Sequence, residues 1–243
     1  MNGSPDALDR VTIVGPGRVG RALAHALSTA GVAVRGPLAR GQWENLIQAG
    51  DVVLLCVPDG EIARASEHVR TDAFVGHCSG TLQPNILGSR SAFSMHPLLA
   101  ITGPGARFDG AAAAVAGTDD GARGIARSIA GRLGMTAIDV SNRTLYHAAA
   151  VIASNYLVAL EETAAMLGTD VGLERRHLAR LAESALENWS RDGAAALTGP
   201  IARGDEDVVA RQRSEIARVH PELLDFWDAL TARTREVAAE MKH

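Results

Sequence analysis

The chain has 243 residues, enough for one large domain or two small ones with a substantial core. Its net charge of -4 and its lack of a basic run interleaved with aromatic residues argue against a nucleic-acid partner. It has no signal-like start and no apolar run as long as a membrane span. These features predict a cytoplasmic protein that binds small molecules and has no membrane partner.

A Gly-x-Gly-x-x-Gly turn lies between the first predicted strand, residues 11–14, and an Ala/Leu pattern of helical period. This order is typical of a dinucleotide-binding crossover. Gly15 permits the turn, Gly17 lets backbone amides approach a pyrophosphate, and Gly20 lets the helix pack against its strand. The pyrophosphate would bind at the helix N-terminus. The predicted cofactor-binding residues of the turn are Gly15, Pro16, Gly17, Arg18, Val19 and Gly20.

The second predicted strand, residues 32–34, bears on the choice of cofactor. An NAD site usually has Asp or Glu about 20 residues after the glycines, but none occurs between Asp9 and Glu44. Arg35 and Arg40 lie at and just beyond the strand end instead. A guanidinium suits a 2′-phosphate, so the sequence predicts NADP, with Arg40 as its contact. A solvated surface arginine is the alternative, especially for Arg35.

Further strand-like runs alternate with helical patterns up to about residue 140. The run 51–58 is apolar, as in a strand covered on both faces, and it ends at the sheet edge where ligands bind, so Val57 and Pro58 are predicted cofactor contacts. Asp59 is predicted to cap the next helix. Later strands are predicted at 74–78, 91–95, 111–116 and 135–140, and a helix at 119–133. The pattern predicts an α/β fold, a Rossmann-type doubly wound and mostly parallel sheet.

From Ser141 onward only helical periodicity remains, which predicts an NADP-binding domain over 1–140 and a helical substrate and dimerisation domain over 141–243. Its first helix, from about 142 to 167, would be about 39 Å long and is rich in small residues, so it is expected to be buried. A polar stripe on a buried helix needs partners. The stripe carries His147, Val151, Ser154 and Val158, flanked by Tyr146 and Asn155.

Among these, His147 is the predicted general acid/base, because imidazole titrates in the range that hydride transfer to a carbonyl or imine requires. A core histidine bound to a backbone carbonyl is the alternative. Ser79 and His96 are further catalytic candidates because each follows a predicted strand end, although either could be a turn residue. Thr198 and Gly199 could start a helix that holds a carboxylate, or could simply connect two helices. No histidine or cysteine spacing predicts a metal site.

Several of these segments resemble one bacterial family, which joins a Rossmann-like NADP-binding domain to a C-terminal domain of unknown function. The segments are 14–20, 57–59, 77–80, 93–98, 146–155 and 197–205. The wider relatives are the 6-phosphogluconate dehydrogenase-like proteins, which include β-hydroxyacid dehydrogenases, ketopantoate reductase and pyrroline-5-carboxylate reductase. The resemblance implies NADP binding, a helical domain that mediates dimerisation and an active site in the cleft between the domains.

The resemblance also implies site residues. In β-hydroxyacid dehydrogenases a Ser after the fourth strand, and a Lys and an Asn on the long helix, serve the substrate. Ser79 and Asn155 match that pattern, so Asn155 is a further catalytic candidate, but the lysine is missing, since the only lysine is Lys242. The turn at Thr198 and Gly199 is similar in place to a substrate loop of pyrroline-5-carboxylate reductase. The predicted substrate-binding residues are Ser154, Thr198 and Gly199.

These observations predict a homodimeric NADP-dependent oxidoreductase. Its substrate would be a small carboxylate-bearing hydroxy or keto acid, or a cyclic imine. The missing lysine leaves an alternative from another class, a non-catalytic NADP-binding sensor or regulatory protein.

Overall fold

A computed structural model of the chain describes residues 8–42, 52–69, 74–88 and 90–241. Its sheet has the strand order β2-β1-β3-β4-β5-β6-β7. Adjacent strands are parallel except β5 and β6, which are antiparallel. The predicted Rossmann-like, mostly parallel sheet is confirmed. The strands are β1 (Arg10–Val14), β2 (Ala33–Leu38), β3 (Val52–Leu55), β4 (Val75–His77), β5 (Ala92–Leu98), β6 (Ala112–Gly117) and β7 (Thr136–Asp139).

The helices follow the predicted alternation with the strands and then continue without further strands to the end of the described chain. They are α1 (Arg18–Thr29), α2 (Ile62–Glu67), α3 (Asp120–Arg132), α4 (Arg143–Val151), α5 (Leu157–Thr169), α6 (Arg175–Asp192), α7 (Pro200–Arg203), α8 (Glu206–Val219) and α9 (Leu224–Glu240), with a π-helical segment, Ile152–Tyr156, between α4 and α5. Short 3-10 helices lie at Asp59–Glu61, Pro84–Leu87, Gly193–Ala196 and Pro221–Leu223.

The strands at the centre of the sheet are apolar because they are buried. Every residue of β3 is buried, as expected for a strand covered on both faces. Small residues let neighbouring strands approach: a Cβ on Gly76 of β4 would overlap the ring of Phe93 on β5. Because β1, β3, β4 and β5 run parallel, their carboxyl ends lie along one edge of the sheet, and the candidate site is built there.

The predicted role of Asp59 as a helix cap is wrong. Asp59 does not cap a helix with its side chain: Pro58 is the residue before the first 3-10 turn, and no side chain caps that turn. The carboxylate instead accepts hydrogen bonds from the hydroxyls of Ser79 and Thr81. These partners lie on the neighbouring strand end, which local sequence does not indicate.

The described chain forms two compact units, Met1–Tyr156 and Leu157–His243. The predicted division at 140/141 marks where the strands end, and it remains a prediction about the functional domains. Within the second unit, ion pairs link neighbouring helices, for example Arg213 of α8 with Asp228 of α9 at 2.7 Å. All regular secondary structure in the described part of the second unit is helical.

The long helix Arg143–Thr169 overturns two expectations. Almost all its residues are exposed or half-buried in the single chain, so the prediction of a buried helix is wrong: all its alanines are exposed or only half-buried. Its most apolar 18-residue window has a mean hydropathy of 1.2, so by length and composition it is long enough to span a membrane. The expectation that no run approaches that length is therefore corrected.

Candidate functional site

The turn after β1 accepts only glycine at two positions. Gly15 has φ +106°, and a Cβ there would overlap the carbonyl oxygen of Cys56 at the end of β3. A Cβ on Gly20 would overlap the carbonyl oxygen of Gly15. Gly17 is different: its φ is -71° and the space beside its Cα is open. The backbone is thus closely packed at Gly15 and Gly20, whereas no side chain or neighbouring atom covers it at Gly17. A turn that binds an anion requires this arrangement.

The start of α1 adds to this cradle. Within the described chain, no side chain caps the helix and its first turn carries no acidic residue. Its first N–H groups and the positive end of the helix dipole are therefore available to an anion. The residues present fit the pyrophosphate of a dinucleotide.

A cavity of about 200 Å³ lies against the turn. Six of the nine predicted cofactor-binding residues line it, while Arg18, Val19 and Gly20 form the first turn of α1 without lining it. Four lining residues were not predicted from the sequence: Val14, Leu38, Cys56 and Glu61. Glu61 is the charged one among them, and its carboxylate lies 2.6 Å from the Arg40 guanidinium. Glu61 comes after the acid-free stretch of the chain, and only the fold brings it to Arg40. The six predicted residues in the lining are Gly15, Pro16, Gly17, Arg40, Val57 and Pro58.

The turn after β4 is held by a network centred on Ser79. The Ser79 hydroxyl donates to Asp59 at 2.7 Å and accepts from the backbone N–H groups of Thr81 and Leu82 at 3.2 and 3.0 Å. Ser79 is almost completely buried. Its hydroxyl is therefore engaged in fixing the turn and the Asp59 carboxylate.

Arg143, at the start of α4, is the buried charged residue of the described chain, with 3% exposure. Its guanidinium donates to the Ser79 carbonyl at 3.0 Å and to the Ser94 hydroxyl at 2.6 Å, whereas Nε has no partner. None of these groups is a carboxylate, so the positive charge is not neutralised by an ion pair. Sequence reasoning missed Arg143, because a charged residue in a first helical turn usually faces solvent.

Two histidines approach Gly80, and a tyrosine contacts one of them. His96 Nδ1 lies 2.8 Å from the Tyr146 hydroxyl, with the two rings edge to face at 5.6 Å. The His147 ring lies 6.0 Å from that of His96. A Cβ on Gly80 would come within 2.5 Å of His147 Cδ2 and 3.1 Å of His96 Nε2, so only glycine lets both rings approach the turn. His96 lies within β5 and not, as predicted, beyond its end, because the strand continues to Leu98.

The surroundings of His96 favour its neutral imidazole. Burial, followed by the charges of His147 and Arg143, lowers the pKa of His96 to about 4, against a weaker opposing effect of Asp59. Burial raises the pKa of Tyr146, and Arg143 opposes that rise. His96 is therefore uncharged, and Tyr146 is protonated, at neutral pH.

His77 on β4 was predicted to be structural, and its contacts agree with that role. Its Nδ1 accepts from the Ser79 N–H at 3.2 Å, and its Nε2 lies 3.3 Å from the Gln83 carbonyl. Burial is the main cause that lowers the pKa of His77 to about 4. Both ring nitrogens are thus engaged by backbone groups.

The hydrogen bonds described for Ser154, Asn155 and Gly199 lie within their own helical segments. The Ser154 hydroxyl donates to the Ala150 carbonyl at 2.7 Å and to Asn155 Oδ1 at 2.9 Å. These two residues lie in the π-helical segment, whose wider turn breaks the α-helical spacing that placed Ser154 on the face of His147. Gly199, with φ +95°, is the N-cap of α7, so Thr198 is not the cap.

A family model described as a domain of unknown function, DUF2520, matches residues 111–234. No curated protein sequence matches the chain.

Several solved structures share the fold. A candidate NADP oxidoreductase from Bacteroides fragilis is 17% identical with a TM-score of 0.79, covering 94% of this chain and 98% of its own. A Thermotoga maritima protein is 26% identical with a TM-score of 0.76, covering 96% of this chain and 100% of its own. Plasmodium falciparum pyrroline carboxylate reductase, solved with NADP bound, is 12% identical with a TM-score of 0.56, covering 94% and 99%.

Proposed function

The chain belongs to the DUF2520 family, and on that premise we propose that it is an NADP-dependent oxidoreductase. Its substrate is a small carboxylate-bearing hydroxy or keto acid, or a cyclic imine. The observation that carries the proposal is the cavity that combines the bare backbone at Gly17 with the guanidinium of Arg40. The Bacteroides candidate NADP oxidoreductase and the NADP-bound Plasmodium reductase share this fold and support the choice of cofactor.

The chain's own residues would hold the cofactor in distinct ways. The N–H groups at Gly17 and the start of α1 bind the pyrophosphate, and Arg40 binds the 2′-phosphate. Val57 and Pro58 supply an apolar wall. The cavity is smaller than the roughly 300–1,000 Å³ of pockets that enclose a drug-sized ligand, so it holds only part of the dinucleotide. When bound, NADPH supplies the hydride.

The Gly80 cluster would supply the proton. His147 is half-buried beside Gly80, and its imidazole serves as the general acid/base. Ser79 positions the turn through Asp59, and Arg143 adds an uncompensated positive charge that favours an anionic substrate. Four further residues complete the proposed substrate contacts: Asn155, Ser154, Thr198 and Gly199.

Purified protein with NADPH, offered a panel of 2-oxo acids, semialdehydes and cyclic imines, tests this function. We expect loss of nicotinamide absorbance with at least one member, and its abolition by His147→Ala but not by His25→Ala, an exposed control. Tight NADPH binding with no turnover of any member would instead favour the second candidate, a non-catalytic sensor. The missing lysine is the observation that favours that candidate.

A second copy of the chain is the proposed partner of the long helix. Large apolar side chains along it are exposed in the single chain, among them Leu145 at 67% and Val158 at 63%. Arg143, Glu161 and Glu162 in the same helix disfavour lipid as its surroundings. We expect a dimer by sedimentation velocity, dissociated by Leu145→Glu.

Ile86→Glu, at an exposed apolar position of the first unit, is the matched control and should leave the dimer intact. A monomer, or partition of the protein into detergent micelles, would refute the dimer.

A further inference from the structure

His96 and Tyr146 carry an inference that rests on the proposed function and narrows it. We infer that His96 donates a hydrogen bond from its Nε2–H to the carbonyl oxygen of the substrate, and that Tyr146 fixes the imidazole tautomer that makes this possible. The substrate is then a carbonyl compound and not a cyclic imine.

The hydrogen bond between the two side chains sets the tautomer. His96 Nδ1 and the Tyr146 hydroxyl lie 2.8 Å apart, so one of them must donate. A phenol is a stronger acid than a neutral imidazole N–H, and an imidazole nitrogen is a stronger base than a phenol oxygen. If Nδ1 donated, the phenol hydrogen would need another acceptor, and the described residues offer none. Tyr146 therefore donates to Nδ1, and the imidazole proton resides on Nε2.

The freed nitrogen opens onto the Gly80 turn. A Cβ on Gly80 would lie 3.1 Å from His96 Nε2, which places that nitrogen against the bare backbone of the turn. Within the described chain His96 Nε2 has no hydrogen-bond partner. The protein does not enclose this atom completely. It consequently retains access to solvent and to a ligand.

The charge state of the His96 ring determines whether Nε2 donates or accepts a hydrogen bond. The pKa of His96 is lowered to about 4, so the ring is neutral and its Nε2 can only donate. A carbonyl oxygen accepts, and it accepts more strongly as negative charge develops during hydride addition. The nitrogen of a protonated imine is itself a donor and would oppose the Nε2–H. The donor at Nε2 therefore favours a substrate with a carbonyl oxygen over one with an imine nitrogen.

His147 completes the arrangement at the same turn. Its ring lies 6.0 Å from that of His96, and both approach Gly80. When bound, NADPH would supply the hydride to the carbonyl carbon, and the π electrons would move to the oxygen, which the His96 Nε2–H would stabilise. His147, starting as the imidazolium, would give its proton to that oxygen. The products would be the alcohol, NADP⁺ and a neutral His147, so atoms and charges balance. His96 is thus a catalytic residue, and Tyr146 is its positioning residue.

The chain's two tyrosines provide a matched pair for the test. Long-range ¹H–¹⁵N spectra of histidine-labelled protein report the tautomer of His96 without any turnover. We expect the Nε2–H form in the wild type and in Tyr156→Phe, since Tyr156 is 62% exposed, and a mixture of tautomers in Tyr146→Phe. Tyr146→Phe should also lower kcat for a 2-oxo acid roughly 10- to 100-fold with unchanged NADPH affinity.

Two outcomes would overturn the inference: an Nδ1–H tautomer in the wild type, or turnover of a cyclic imine such as 1-pyrroline with 2-oxo acids left unreacted. Failure to bind NADPH would refute the proposed function separately. The tautomer measured in that same sample would still decide whether Tyr146 sets the proton on His96.

Discussion

The guanidinium of Arg40 and the carboxylate of Glu61 form a 2.6 Å ion pair in the lining of the glycine-bounded cavity. Both side chains are more than one third exposed, so the pair contributes little to stability. In the proposed cofactor site its effect would fall instead on binding, because Glu61 would occupy the donors that a 2′-phosphate needs and would also repel that phosphate. The pair would therefore oppose NADP binding until the phosphate displaced the carboxylate.

Neutralising this acid should favour NADPH. We expect Glu61→Gln to lower the Kd for NADPH roughly 3- to 10-fold, about 1 kcal/mol, while the Kd for NADH changes little. Calorimetric titration at low and moderate salt measures both. Glu67→Gln, an exposed position on α2, is the control. Equal changes for the two cofactors would show that Glu61 does not compete with the phosphate.

Replacing Arg40 with an acidic residue should produce a larger difference between the affinities for NADPH and NADH. Arg40→Asp is expected to weaken NADPH binding at least about tenfold, since it replaces a charge-assisted contact with repulsion. NADH, which lacks the 2′-phosphate, should lose far less. If titration shows both weakened to the same extent, Arg40 is not the 2′-phosphate contact.

The glycine turn predicts opposite behaviour for two alanine variants. Gly20→Ala places a methyl group against the Gly15 carbonyl, so urea denaturation should show a loss of about 1–3 kcal/mol in the free energy of unfolding. Gly17→Ala meets open space at a permitted φ and should fold normally. It should nonetheless lose NADPH affinity, because its methyl group lies where the pyrophosphate approaches. Unchanged NADPH affinity in Gly17→Ala would contradict the cradle.

Stability should fall as the solution becomes acidic, because two histidines are held neutral. The pKa values of His77 and His96 are lowered to about 4 from 6.5, so between these values the unfolded chain binds more protons than the folded chain. The contribution is absent above pH 6.5 and grows as pH falls toward 4. At pH 5 each imidazole should cost about 2 kcal/mol.

Denaturation at pH 7.5 and pH 5.0 checks this. The free energy of unfolding should differ less between the two pH values in His96→Gln, because the contribution of His96 is removed. His25→Gln, at an exposed position, should leave the difference unchanged. The same difference in all three proteins would show that His96 titrates normally.

Local signals were enough to predict the sheet and the cofactor turn. Gly15 and Gly20 could be identified because a strand, a glycine spacing and a helical period follow one another within a few residues. The end of β5 was less clear, since His96-Pro97-Leu98 carries no strand signal of its own, and its pairing with β6 decides it. Burial of the long helix could not be predicted, because it depends on what covers the helix beyond the single chain.

The contacts that define the candidate site join residues far apart in sequence. His96 and Tyr146 are 50 positions apart, and Arg143 and Ser79 are 64 apart. Asp59 offered a plausible local role as a helix cap, which concealed its partnership with Ser79. The Asp59–Ser79 pair follows from the pairing of β3 with β4, and the other two pairs follow from where α4 begins against the sheet. Both depend on the packing of the whole sheet.

The bare Cα at Gly80 has a consequence for related sequences. Any side chain at this position would displace both imidazoles, so glycine here and the two histidines should be inherited or lost together. A homologue with alanine or serine at the position of Gly80 should carry smaller residues in place of His96 and His147. Covariation at these three columns would then divide the family into members that keep the residues proposed to bind the carbonyl oxygen and members that lack them.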